Sequence, residues 1–179
     1  MNKLNKLIYI AMIAGTTFAN ISQDNISNAE VLAWASEVAV SSYTYNALSY
    51  TKQFANLKTK FTNDGWNNFE DALKKSGNLN EVINNGVVVS AYRSSPAEIE
   101  SYSEKNSIST WVVKVPTQVT YETGYVKIEQ DMDTYLTISQ NNDGKLLIQN
   151  INSSLISPTR TANAIPKPRP NCKIANSKN

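Results

Sequence analysis

The chain has no histidine and a single cysteine among its 179 residues. The first absence removes the commonest general base near neutral pH, and with it the Ser-His-Asp and Cys-His arrangements and the HExxH zinc sites. The second rules out an intramolecular disulfide and a sulfur-rich metal site. Cys172 is expected as a free thiol, with pairing to another chain as the alternative. No GxGxxG, GxxxxGK[ST] or EF-hand loop is present, so nucleotide and calcium readings have no motif to rest on. A bilayer-spanning run is missing too: the apolar stretch from Leu7 to Ala19 covers 13 residues, against the roughly 20 that a spanning helix needs.

What is there divides the chain into three parts. Lys3 and Lys6 precede that apolar stretch, and Thr17-Phe18-Ala19 ends it with small residues where a signal peptidase reads. Residues 1–19 are therefore expected to be a signal peptide, cleaved before Asn20, with an uncleaved anchor as the alternative. Residues 157–179 hold four prolines, no aromatic residue, and five basic against zero acidic side chains, and so read as a disordered tail with an extended Pro166–Pro170 centre. Between them, residues 20–156 carry 10 basic and 15 acidic side chains, net −5, while the whole chain is +2. An acidic body argues against nucleic acid as a partner. The basic tail is expected as a solvated end, with contact to an acidic partner or peripheral association with an anionic membrane surface, the inner membrane included, as the alternatives. The sequons at Asn20, Asn25 and Asn152 are expected by chance in so Asn- and Ser-rich a chain.

Within the body, Ser27-Asn28-Ala29-Glu30 matches a capping box, and Val31, Trp34, Ala35, Val38 and Ser42 recur at helical spacing, predicting a helix over about 28–45. Tyr50, Phe54, Leu57 and Phe61 repeat the pattern in a second helix, separate from the first or continuous with it. Thr62-Asn63-Asp64-Gly65 opens a third, with Trp66, Phe69 and Leu73 on one face, Glu70 and Lys74 at i,i+4, and Gly77 as its cap. From Val87 the period shortens to two. Strands are predicted at 87–92, 109–123, 124–140 and 145–151, with Pro116 at a bulge or edge and Asn141-Asn142-Asp143-Gly144 as a hairpin turn. The expected fold is α+β, three helices covering one face of a strongly curved four-stranded antiparallel sheet. Trp66 and Phe69 are then expected in the core rather than as ligand-stacking rings.

The stretches VLAWASEVAVSSYTYNALSY (31–50) and QFANLKTKFTNDGWNNFEDALKKSGNLNEVINNGVVVSA (53–91) resemble the DotI/IcmL family of type IVB (Dot/Icm) secretion systems, related to a plasmid conjugation protein. The likeness is carried by Trp34, Ala35, Tyr43, Tyr50, Phe61, Gly65, Trp66, Phe69, Ala72, Leu73, Ser76 and Gly77. It implies that residues 20–156 form a periplasmic domain of the nuclear transport factor 2-like kind, which acts through protein contacts and not through chemistry. The implied partners are other secretion-system proteins and further copies of the chain. No catalytic, cofactor-binding or metal-ligating residue, no cofactor and no small-molecule ligand is expected. Usual members begin with a cytoplasmic segment and a transmembrane helix, so the signal-like start is a departure that puts anchoring in question.

A second reading uses the apolar cone that such folds enclose, for a small molecule or for an enzyme. Lacking histidine, an enzyme would need a buried Tyr, Asp or Glu with a raised pKa. Tyr121, Glu129, Asp131, Asp133 and Tyr135 are the candidates, although the alternation of the three carboxylates predicts a solvated sheet face. An exposed apolar patch beside Tyr43, Tyr45 and Tyr50 would instead favour an interaction module.

Overall fold

A computed structural model of the chain describes residues 26–141, 143–156 and 160–162. The signal-peptide reading, Cys172, the first two sequons and most of the basic tail lie outside the described residues. Four helices, α1 (Asn28–Ser42), α2 (Tyr50–Lys58), α3 (Asn63–Ser76) and α4 (Asn78–Asn85), precede six strands: β1 (Val88–Arg93), β2 (Glu98–Lys105), β3 (Ile108–Glu122), β4 (Lys127–Gln140), β5 (Leu146–Leu155) and β6 (Arg160–Ala162).

The capping box at α1 is complete: Glu30 N–H donates to Ser27 Oγ at 3.2 Å and Ser27 N–H to Glu30 Oε2 at 2.8 Å. Ser27→Ala should destabilise the domain by about 1 kcal/mol, read as a lower urea midpoint at unchanged slope. The first two helices are not continuous. α1 stops at Ser42 because the chain must place Tyr45 beside β1, where Tyr45 and Val89 exchange backbone hydrogen bonds at 3.0 and 2.9 Å. Phe61 falls beyond α2, although it stays buried. α3 starts and stops as its sequence predicts, with Gly65 N–H on Thr62 Oγ1, Glu70 paired to Lys74 at 3.3 Å, and Gly77 at φ 75°. α4, which buries Val82, adds a fourth helix to the expected three.

The sheet is antiparallel and ordered β1-β3-β4-β5, the four expected strands, with β2 also paired to β3 and β6 to β4. The count is therefore six rather than four. β6 draws residues 160–162 of the tail into register with Lys127–Glu129. Pro116 makes no bulge against β4, since Val115, Pro116 and Thr117 pair in unbroken register with Thr134, Asp133 and Met132. It sits where β1 ends, opposite Thr117, and β2 begins, opposite Lys114. Its carbonyl accepts from Ser94 N–H on that side, so the missing N–H also faces the gap between two partner strands, a local edge. Asn141 organises the expected hairpin, its side chain accepting from the N–H groups of Asp143 and Lys145.

Odd positions of β3 (Trp111, Val113, Val115, Val119) and even positions of β4 (Met132, Leu136, Ile138) are buried against the helices. Of these, Trp111, Val113, Val115, Leu136 and Ile138 join Val31, Ala35, Val38, Leu57, Phe61, Trp66 and Phe69 in the main core, while Val119 and Met132 make a second cluster with Tyr45, Val82, Val87 and Val89. Trp66 packs among Phe54, Phe61 and Phe69 with ring centroids 5.6–6.2 Å away, which places it in the core as expected.

Candidate functional site

The helix-covered face of the sheet is not completely filled. A cavity of about 420 Å³ opens between the C-terminal half of α3 (Phe69, Leu73) and the sheet, where Tyr121, Met132, Ile151, Ser153 and Leu155 line it. Tyr43 and Tyr45, just past α1, close one wall. A chain of hydroxyls crosses it. Ser153 Oγ donates to the fully buried Thr134 Oγ1 at 3.2 Å, which leaves Tyr43 as donor to Ser153 across 2.5 Å. Among the described residues no charged side chain lines the cavity.

Burial pushes the hydroxyls of Tyr43, Tyr45 and Tyr121 up from the ordinary 10.0, and neighbouring tyrosines push Tyr45 and Tyr121 further the same way. All three are therefore neutral hydrogen-bonding groups at physiological pH. Above pH 10 the unfolded chain loses these protons while the folded one keeps them, so the contribution of these three groups to stability is constant below that pH and falls as pH rises beyond it. Thermal melts across pH 8–11.5 should show this decline, and Tyr45→Phe should shrink it.

The sequence-derived candidates separate onto two faces. Tyr121 faces the cavity, whereas Glu129, Asp131, Asp133 and Tyr135 occupy the odd positions of β4, half-buried on the opposite face. There Glu129 pairs with Lys127 at 2.6 Å, Gln118 donates to Asp131 at 2.8 Å, and the Tyr92 hydroxyl bonds Gln118. None of the three carboxylates lies at the bottom of a closed apolar pocket, and the partly solvated face expected for them is what the alternation produces. Of the tyrosine set, Tyr45 is only 2% exposed, Tyr43 is half-buried in the cavity wall, and Tyr50 stacks edge-on to Phe54 beside another cleft. Exposed apolar side chains do stand near this set: Leu48, between Tyr45 and Tyr50 in the chain, is fully exposed, Leu155, which shares the cavity wall with Tyr43 and Tyr45, is 58% exposed, and Ile156 is 57% exposed. The strand predicted to end at Ile151 runs on to Leu155, and continued period-two spacing of Ile151, Ser153 and Leu155 was the signal for it. Among the described residues no group of three His, Cys, Asp or Glu side chains is placed to hold a metal ion, and no helix is long and apolar enough to cross a membrane.

Comparison with known proteins gives a consistent set of likenesses. The fold is similar to the periplasmic domain of DotI, with 27% identity, 73% of this chain and 96% of that one covered, and a TM-score of 0.69. It is also similar to an IcmL-like type IV secretion system protein from Legionella pneumophila subsp. pneumophila str. Philadelphia 1, at 23% identity, 75% and 96% coverage and a TM-score of 0.65. A periplasmic fragment of TraM matches at 14% identity, 73% and 99% coverage and a TM-score of 0.61. The last two likenesses speak to the fold alone. No curated protein matches in sequence. The family model described as the type-IV b secretion system, inner-membrane complex component, matches residues 9–148. With most of its length matched to that model, the chain belongs to the DotI/IcmL family of type IVB secretion system components.

Proposed function

We propose that the chain is a periplasmic, non-enzymatic component or accessory protein of a type IVB secretion apparatus, working through protein contacts in the assembly of the machine. The observation that carries this reading is the likeness to the periplasmic domain of DotI, 96% of which this chain covers at 27% identity. The chemistry of the fold supports it. Glu129 and Asp131 are held by Lys127 and Gln118, all three carboxylates lie on a partly solvated sheet face, and the tyrosines of the cavity are neutral, so neither set is poised as an acid–base pair. The exposed apolar residues at the end of β5 are the kind of surface that a binding partner covers.

The test is purification of the tagged full chain from the envelope of its producing cells, with mass spectrometry of what accompanies it and protease accessibility in spheroplasts. Co-purification with other type IVB components and digestion only after the outer membrane is opened are the expected results. A chain protected in the cytoplasm, free of such components, would overturn the proposal.

A further inference from the structure

The edges of the sheet are not equivalent. β2, on one side, carries Glu98, Glu100, Glu104 and Lys105 in eight residues, a charged edge of the kind that resists pairing. β1 is bridged at Val89 by the backbone of Tyr45. The first part of β5 is covered as well, because Ile148 N–H donates to Lys60 O and Ile148 O accepts from Thr62 N–H, both at 2.9 Å. Beyond the register shift of β5 that cover ends. Ile156 N–H donates to Asp131 O, which fixes the alternation: Ser154 and Asn152 turn their main-chain groups to β4, and Ile151, Ser153 and Leu155 turn theirs outward. Those outward groups have no backbone partner among the described residues, and the segment contains neither charge nor proline to guard them.

The same three residues pair with Leu136, Thr134 and Met132 and so direct their side chains to the helix side, into the cavity against Leu73 and Tyr43. Open main chain and open apolar volume therefore coincide, which is the geometry of strand addition, where hydrogen bonds supply affinity and alternate side chains supply selectivity. We infer that the edge Ile151–Leu155 and the adjoining cavity take an extended segment of a partner protein, paired to β5 as a further strand.

Charge defines that segment. The described residues lining the cavity are uncharged, so residues entering it are apolar or hydroxyl-bearing, within reach of the Tyr43 and Tyr121 hydroxyls. On the opposite face of the sheet Asp133 stands across from Ser154, one strand in from this edge, so the alternate residues of the partner are basic. The stretch Arg160–Ala162 of the same chain is already committed to β4. The inference deepens the assembly reading above and rests on it.

Leu155→Pro removes an outward N–H and leaves the ladder to β4 intact, and Leu155→Lys guards the edge with a charge. The full chain, carrying a photoreactive p-benzoylphenylalanine at position 155 or, as control, at Tyr102 on β2, is irradiated in its producing cells. The expected adduct forms at position 155 only and maps to an alternating apolar and basic segment of another secretion-system protein. In both Leu155 variants, co-purification of that protein should fall roughly tenfold or more, with the melting temperature of the purified chain close to that of the parent. Unchanged co-purification in the variants overturns the edge and leaves the assembly role standing. Adducts to a second copy, to residues 163–179 of the same chain, or to the Tyr102 control also overturn it. A parent chain that brings down no secretion-system protein removes the assembly reading itself.

Discussion

Gly65→Ala is expected to destabilise the domain by about 2–3 kcal/mol, at the upper end of what overpacking costs. Two effects of opposite sign meet at this position. Gly65 lies within α3, where alanine is the better helix former by about 1 kcal/mol. A Cβ there, however, would stand 2.5 Å from the carbonyl oxygen of Ile148 and 2.8 Å from that of Gln149. Both are backbone atoms, and Ile148 O is also the acceptor of Thr62 N–H at 2.9 Å, so the neighbour cannot swing away as a side chain would. Separation means sliding the start of α3 off β5, which also loosens Trp66 and Phe61. Urea unfolding measures the result: a lower midpoint at unchanged slope sustains the contact argument, and a raised midpoint would mean that helix propensity wins.

Trp66→Ala should cost about 3–5 kcal/mol, the range for truncating a large core aromatic. The residue is 6% exposed and touches three phenylalanine rings, with the Lys58 ammonium 5.9 Å from its ring. A domain of this length shifts by 2–4 °C per kcal/mol, so the melting temperature should fall by roughly 10 °C. Trp66→Phe retains most of the volume and should lose well under half as much. If the indole served a ligand instead of the core, the alanine variant would melt within a degree or two of the parent, and the packing account of α3 would fail.

Much of this architecture is legible from residue order. Capping boxes, hydrophobic spacing and a C-terminal glycine act within a single turn of chain, which is why the starts of α1 and α3, the end of α3 at Gly77, and the Asn141 hairpin all lie where the residues put them. Other features escape for physical reasons. The β2–β3 hairpin turns through Asn106 and Ser107, both at positive φ, where a serine stands in place of the glycine that normally signals such a turn. β2 itself has a single partly buried apolar residue, Ile99, so its alternation is faint. α4 buries only Val82 and spans too few residues for a helical period to stand out.

The site divides along the same line. Tyr121 and the tyrosines near residue 45 could be singled out as aromatic groups on particular elements, but not whether they face solvent or a cavity. Tyr45 is buried because it bridges Val89, a residue 44 positions away, and Tyr43 reaches Ser153 across 110 positions.

The sequence by itself determined that the chain has no histidine chemistry, that its body is acidic, that helices come before strands, and that Trp66 and Phe69 share a buried face. These follow from composition and from contacts within a few residues. Only the tertiary structure decided that β5 ends, among the described residues, in an edge without a backbone partner beside a cavity lined with neutral tyrosines, because an edge exists only once the other strands have been paired.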